Sequence, residues 1–376
     1  MKRRFACTLA LCAALSLQLQ AQRSELRLEK GWRFTRQDQA SFSTPDYNDS
    51  KWSRVTVPHD WAIYGPFSFE NDKQHLAIAQ DGQKEAMEHA GRTGGLPFVG
   101  AGWYRRSLDI PQDLGDRRVF LRFDGAMSHA RVYVNGKEVG YWPYGYNTFA
   151  FDVTPYVRPG ASNTLAVRLE NKHESSRWYP GAGLYRNVHL TITSPTYIPL
   201  WGTRIQTPSV SADQAYVSVE TKVAGLSHLA GRPLRIETKI LSPEGKVVAE
   251  RSESFSSKGA DSIYRTGFDI SAPKLWDINQ PNLYKYAVTL SDGSRVIDRD
   301  TTTFGIRSIE LKAGEGFFLN GRKLKFQGAC LHHDLGPLGA AVNEAAMRRQ
   351  IRQMQDMGVN AIRTSHNMPA PEFVRL

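Results

Sequence analysis

Residues 318–376 read FLNGRKLKFQGACLHHDLGPLGAAVNEAAMRRQIRQMQDMGVNAIRTSHNMPAPEFVRL. Two β-type segments, Leu324–Cys330 and Val359–Thr364, flank one helical segment. Met347, Ile351 and Met354 recur at i, i+4 and i+7, giving that helix one apolar face. Asn343 is placed to cap it, with Glu344 in the first turn, where negative charge is favourable. Gly358 sits just past the last periodic residue, where a left-handed residue ends helices. Strand, helix and strand over this span predict a βαβ crossover with parallel strands. Both strands then end at one edge, and both run into histidine: His332 and His333 after the first, His366 after the second. That edge is where α/β sheets and (β/α)₈ barrels bind ligands.

The stretch resembles the opening of the catalytic barrel of glycoside hydrolase family 2, the family of β-galactosidases, β-glucuronidases and β-mannosidases. The matching residues are Phe318-Leu319-Asn320-Gly321, Gly328, His332-His333-Asp334-Leu335-Gly336, Leu338-Gly339-Ala340 and Met357 through Asn367. The His-His-Asp-Leu-Gly form is most similar to the family's β-galactosidases. The resemblance implies that His332 and His366 hydrogen-bond sugar hydroxyls, with Asn367 beside them. It also implies that Arg363 lies next to the nucleophile, where a fixed positive charge keeps a carboxylate ionised. Alternation along the strand sends His332 and His333 to different faces, so one of the two enters the barrel mouth. By the resemblance that one is His332.

Residues 1–21 read as a secretory signal. Lys2, Arg3 and Arg4 form its basic end, Phe5 to Leu19 its apolar core, and Leu19-Gln20-Ala21 a small-residue exit. The apolar run is too short to span a bilayer. Leu9-Ala10-Leu11-Cys12 has the shape of a lipoprotein site, but bulky Leu11 stands where a small residue is expected. The expectation is an exported protein, periplasmic or extracellular, without a membrane span. Of three cysteines, Cys7 and Cys12 leave with the signal. Cys330 then stands alone and no intrachain disulfide forms. The net charge of +11 is dispersed and accompanies no nucleic-acid motif, so a solvated surface is expected and no nucleic-acid partner.

Residues 22–194 carry short alternating segments split by turn residues, the pattern of an all-β sandwich. Val119–Phe123, Ala130–Val134, Thr148–Val153, Leu165–Glu170 and Val188–Thr193 are the clearest strands. Asn135-Gly136 between two of them marks a type I′ hairpin. Trp32, Trp52, Trp61, Trp103, Trp142 and Trp178 either fill the core or stack on sugar rings. Several blocks resemble the sugar-binding jelly roll of the same family: Val57 to Trp61, Gly100 to Arg105, Phe123 to Ala126, Val134 to Gly136, and Arg177-Trp178-Tyr179-Pro180-Gly181-Ala182-Gly183-Leu184-Tyr185-Arg186. The insertion Asn71–Leu96 is long enough to be functional or disordered. Residues 197–305 hold some seven strand segments, with turns at Glu244-Gly245 and Asp292-Gly293, and fit an immunoglobulin-like sandwich acting as a spacer. Residues 306–376 would begin a TIM barrel.

Other motif shapes fail. Gly181-Ala182-Gly183 and Gly100-Ala101-Gly102 lack the third glycine of a dinucleotide site, and His173-Glu174 lacks the second histidine of a zinc protease motif. No Gly-x-Ser-x-Gly elbow occurs. His59-Asp60 sits where neighbouring side chains diverge, which argues against an acid–base pair. Metal binding by His332, His333, Asp334 and His366 has no tight ligand spacing behind it. A retaining glycosidase needs two carboxylates roughly 5–5.5 Å apart. By the resemblance both come from later barrel strands, and Asn343-Glu344 is a helix cap. The expectation is therefore a retaining β-glycosidase, most similar to a β-galactosidase acting on terminal β-galactosides, whose first 376 residues hold no catalytic carboxylate and no metal ligand. Alternatives from the same residues are a non-catalytic carbohydrate-binding remnant and a β-glucuronidase or β-mannosidase. A full-length enzyme leaves room for a divalent or monovalent cation and for a homo-oligomer.

Overall fold

The computed structural model describes residues 23–68, 71, 74, 75, 84, 85, 88, 89, 98–173 and 178–376. The signal segment, most of the 71–96 insertion, Glu174 and Arg177 lie outside the described residues. The chain divides into two compact units, one made of residues 193–325 with the N-terminal end, the other of 25–192 together with 326–376.

Among the described residues of the second of these units, twelve strands run from β1 to β12: β1 (Ser24–Arg27), β2 (Trp32–Thr35), β3 (Ser53–Val55), β4 (Gln74–His75), β5 (Glu88–His89), β6 (Gly100–Asp109), β7 (Arg118–Phe123), β8 (Ala130–Val134), β9 (Lys137–Trp142), β10 (Phe149–Asp152), β11 (Ser162–Asn171) and β12 (Val188–Thr193). They form a four-stranded sheet, β1-β12-β7-β10, and a six-stranded sheet, β3-β2-β6-β11-β8-β9, with β4 and β5 paired apart. Alternation decides the faces: Val119, Leu121 and Phe123 of β7 are fully buried while Arg118, Phe120 and Arg122 are not. Each such side chain contributes about 1.5–3 kcal/mol by leaving water. The buried faces of both sheets meet in one core with Trp32, Trp61, Tyr104, Val132, Leu165 and Val188. Asn135 and Gly136, at φ +52° and +81°, make the hairpin turn between β8 and β9. Trp32, Trp52, Trp61 and Trp103 are core residues, whereas Trp178 is 40% exposed.

The other unit holds seven strands of an immunoglobulin-like sandwich: β13 (Thr203–Val210), β14 (Gln214–Val223), β15 (Pro233–Leu241), β16 (Val247–Ser256), β17 (Ser262–Ser271), β18 (Tyr284–Asp292) and β19 (Arg295–Phe304). Sheets β13-β14-β17 and β16-β15-β18-β19 face each other across Val217, Val219, Ile236, Ile240, Phe268 and Tyr286. The turn at Glu244-Gly245 is wider than a two-residue hairpin. Ser242 N–H donates to Lys246 O at 2.8 Å, and Gly245 takes φ +80°. A small antiparallel sheet follows, β20 (Ile309–Lys312), β21 (Gly316–Leu319) and β22 (Arg322–Lys323). Its tight link is Asn320-Gly321, at φ +51° and +74°.

That hairpin corrects the expected first barrel strand. Residues 322–323 pair back onto Phe318 and Leu319, and Leu324 N–H donates to Phe317 O at 2.9 Å, so the strand β23 spans Gly328–Leu331 instead of starting at Leu324. Helix α1 (Glu344–Asp356) follows, then β24 (Ala361–Thr364) and a short helix α2 (Pro371–Arg375). Asn343 caps α1, its Oδ1 accepting from Ala346 N–H at 3.0 Å. Met347 is buried with Leu335 and Ala370, and Gly358 takes φ +82° past the helix end. β23 and β24 are parallel, with Gly328 opposite Ala361 and Leu331 opposite Thr364. The βαβ unit is as the periodicity and the capping residues predict.

Candidate active site

Parallel register brings both histidine segments to one edge. Ser365 N–H donates to Leu331 O at 2.9 Å, extending the pairing to the point where His332 and His366 emerge. The two rings meet at right angles with centroids 5.8 Å apart. His332 lies flat on the indole of Trp178, 4.0 Å between centroids and 10° between planes. Trp178 Nε1 donates to Asp334 Oδ1 at 2.7 Å. His333 turns to the other side, as alternation requires. It is wedged edge-on between Tyr146 and Tyr185 and donates a ring N–H to Pro180 O at 3.0 Å. A carbonyl can only accept, so that nitrogen carries the proton.

Burial pulls His333 down to about 4, with Pro180 opposing the shift. Burial also lowers His332, and Asp334 only partly offsets it. Both rings are therefore neutral at pH 7 and able to donate through one nitrogen and accept through the other. Arg363 is exposed and directly opposite Cys330. The Ser365 hydroxyl first, and the Arg363 guanidinium second, hold the Cys330 thiol below its ordinary range. Alternation puts Cys330, His332 and Arg363 on one face of the two-stranded sheet. Leu331, His333 and Thr364 take the other, which faces α1 across a cavity of about 30 Å³, too small for a sugar and lined also by His332 and Asn367. Asn367 Oδ1 accepts from the Tyr144 hydroxyl at 2.7 Å.

The jelly roll supplies the seat for these loops, and the sequence reading missed most of it. Asp60, 1% exposed, accepts four hydrogen bonds. Oδ1 takes Ala62 N–H at 2.9 Å and Ala182 N–H at 3.0 Å; Oδ2 takes Ala340 N–H at 2.8 Å and the Tyr179 hydroxyl. Burial raises its pKa and these donors pull it back; four donors around one carboxyl fit the ionised form. His59 bonds Tyr104 instead, 2.7 Å away, which dissolves the idea of an acid–base pair with Asp60. The divergence comes from an irregular loop, since neither residue is in a strand. Arg186, 1% exposed, donates to Tyr146 O at 2.9 Å and Met368 O at 2.7 Å. Asn187 Nδ2 donates to Glu372 Oε1 at 2.5 Å. Gly181 and Gly339 sit at the seam: a Cβ on Gly181 would lie 2.4 Å from that of Ala340, and one on Gly339 would lie 2.4 Å from Asp60 Oδ2. The block Trp178 to Arg186 is thus the socket for residues 332–372.

Three acidic side chains of this stretch are otherwise engaged. Asp334 is held by Trp178, Glu344 pairs with Arg375 at 2.8 Å, and Glu372 is buried against Asn187. Among the described residues no group of three or more His, Cys, Asp or Glu is arranged to hold a metal. A separate open groove of about 900 Å³ lies along β2 and β3, lined by Arg33, Arg36, Arg54, Phe34 and Tyr64, and none of His332, Arg363, His366 and Asn367 lines it.

A jelly roll and an immunoglobulin-like sandwich leading into parallel strands that end in histidines define a modular carbohydrate-active architecture. The family models specify it further: the sugar-binding domain of glycosyl hydrolases family 2 matches residues 26–194, the family 2 domain 198–307, and the family 2 TIM barrel domain 309–376. The chain belongs to glycoside hydrolase family 2. It is 37% identical over 370 residues to the β-galactosidase BoGH2A of Bacteroides ovatus, covering 98% of this chain and 41% of that protein. A β-glucuronidase of Bacteroides fragilis is 32% identical over 366 residues, covering 93% and 47%. The crystal structure of a family 2 member from Bacteroides cellulosilyticus superposes with TM-score 0.84 at 33% identity, covering 93% of this chain and 44% of that one. The chain thus spans less than half the length of these relatives.

Proposed function

We propose that the polypeptide carrying this chain is an exported, retaining β-glycosidase acting on terminal β-galactosides. The observation that carries the reading is the rim: the imidazoles of His332 and His366 stand at right angles on adjacent parallel strand ends, with Arg363 one strand position before the edge and Asn367 beside them. Imidazole and amide groups set out in this way can donate to and accept from sugar hydroxyls. In this reading two glutamates from the remaining barrel strands do the chemistry. One protonates the leaving oxygen, the other forms the glycosyl-enzyme, and water then releases the sugar with retained configuration. Arg363 keeps the nucleophile ionised. Residues 22–376 supply scaffold and part of the sugar pocket.

The signal-like residues 1–21 support export. A glucuronide substrate is the second reading, because similar identity links the chain to a protein named β-glucuronidase. Intact mass of the native protein, followed by turnover of aryl β-galactoside and aryl β-glucuronide, tests the proposal. A species well above 42.2 kDa that cleaves the galactoside supports it. Cleavage of the glucuronide alone replaces the substrate, and a native species near 42.2 kDa that binds sugar without turnover replaces the enzyme with a binding protein.

A further inference from the structure

We propose that Trp178 and Tyr144, two aromatic residues of the jelly roll, are positioning residues for the sugar pocket: Trp178 fixes the ring of His332 and the carboxylate of Asp334, and Tyr144 orients Asn367 so that its amide N–H₂ is offered to the ligand. The inference rests on the reading of the rim as a sugar pocket.

Three observations carry it. Both aromatics are substantially exposed, Trp178 at 40% and Tyr144 at 45%, so burial does not account for their placement. Each nevertheless makes a short polar bond to a barrel residue more than 150 positions away, Trp178 to Asp334 and Tyr144 to Asn367, both at 2.7 Å. Finally, the partners form one continuous patch. His332 lies on the Trp178 indole, His366 stands across His332, and Asn367 follows His366. Tyr144 is itself braced at 5.4 Å by Tyr146, whose ring meets His333.

The chemistry follows from donor and acceptor counts. The Tyr144 hydroxyl donates to Asn367 Oδ1, which fixes the orientation of the amide and turns its two N–H donors away from Tyr144. Asn367 is thereby preset as a donor for an acceptor oxygen on the sugar. Trp178 covers one face of His332, so the ring meets a ligand through its edge, where the nitrogens are. The indole N–H also keeps Asp334 turned toward the jelly roll. Trp178 is then a backing plate for His332, in place of the sugar-stacking platform that its exposure alone would indicate.

The test uses Trp178→Phe, Trp178→Ala and Tyr144→Phe in the native polypeptide, read by side-chain NMR and by kinetics on an aryl β-galactoside. Tyr144→Phe is expected to move the Asn367 side-chain amide resonances and to raise KM roughly five- to tenfold, the size of one lost hydrogen bond. Trp178→Ala is expected to bring the His332 titration back toward an ordinary imidazole, with a larger rise in KM. Trp178→Phe, which keeps a smaller ring beneath His332 and loses the N–H, falls between wild type and Trp178→Ala. Unchanged Asn367 amides in Tyr144→Phe, or an unchanged His332 titration in Trp178→Ala, overturns the proposal. Unchanged KM in folded Trp178→Phe and Tyr144→Phe also overturns it. If the resonances move as expected while no galactoside or glucuronide binds, the positioning stands and the sugar-pocket reading fails.

Discussion

Asp60→Asn separates the two jobs of one carboxylate. The substitution keeps the shape of the side chain and leaves a single acceptor oxygen. If that oxygen stays with Ala62 and Ala182, the new NH₂ faces Ala340 N–H, donor against donor, while the Tyr179 hydroxyl can turn and accept. One buried donor is then unsatisfied, at a cost of about 1–3 kcal/mol. If the amide flips, two donors on the jelly-roll side are lost instead, which is worse. The first arrangement is therefore expected, and the damage should concentrate in the loop that carries Ala340. Opening of that loop should become roughly five- to a hundredfold more frequent, since each 1.4 kcal/mol is a factor of ten. Asp60→Ala removes both acceptor oxygens, strands all four donors and should cost about 3–5 kcal/mol, at about 1–3 kcal/mol for each buried donor left unsatisfied. Hydrogen exchange at the Ala340 amide, with urea denaturation of both variants, measures this. Wild-type exchange at Ala340 in Asp60→Asn would refute the assignment of Asp60 as the clamp, as would equal losses in the two variants.

Arg186→Met leaves the carbonyls of Tyr146 and Met368 without their buried donor and should destabilise by about 3 kcal/mol, seen as a lower urea midpoint. Gly339→Ala combines φ +61° with a 2.4 Å approach to Asp60 Oδ2 and should cost at least about 1–2 kcal/mol, measured the same way. The cluster of His189, Glu25, Asp124 and Arg122 should make stability depend on pH. Burial lowers the His189 pKa, but its bonds to Asp124 and Glu25 outweigh this and raise it. The His189 contribution is thus complete below about 6.5 and fades as pH rises through the folded value. The hydrogen bond from His189, opposed by burial and helped by Arg122, lowers Glu25 to about 2. Its contribution is present above roughly 4.3 and is lost as pH falls toward about 2. His189→Gln should flatten both limbs in thermal melts between pH 3 and 8.

Local signals in the sequence were legible and distant ones were not. Asn343 caps α1 through a residue three positions on, and Asn135-Gly136 turns between adjoining strands, so each announces itself within a short window. The same Asn-Gly chemistry at Asn320-Gly321 went unread because Arg322 and Lys323 show no alternation to mark a strand. Asp60 offers a window only through Ala62, two positions on; its other partners are 119, 122 and 280 positions away. Trp178 was weighed between core filling and sugar stacking, and the structure gives it a third setting, against His332. Periodicity marks a residue as inside or outside, but not which distant loop it will meet. The rim was legible because strand alternation and crossover geometry put His332 and His366 together before any contact is known.

The seat of residues 332–372 on the block Trp178 to Arg186 also bears on the order of folding. The two parts are joined through residues 193–325, which form a compact unit of their own, so closing this long connection costs little more than closing one half its length. Chains fold broadly from the N-terminus as they are made. The jelly roll, whose strands all lie within residues 24–193, can then stand complete while β23 is still being synthesised. The first barrel strands would meet a preformed template instead of searching for one another. Defects at Asp60 or Arg186 would in that case surface first as poor yield of folded protein, before any loss of catalytic rate.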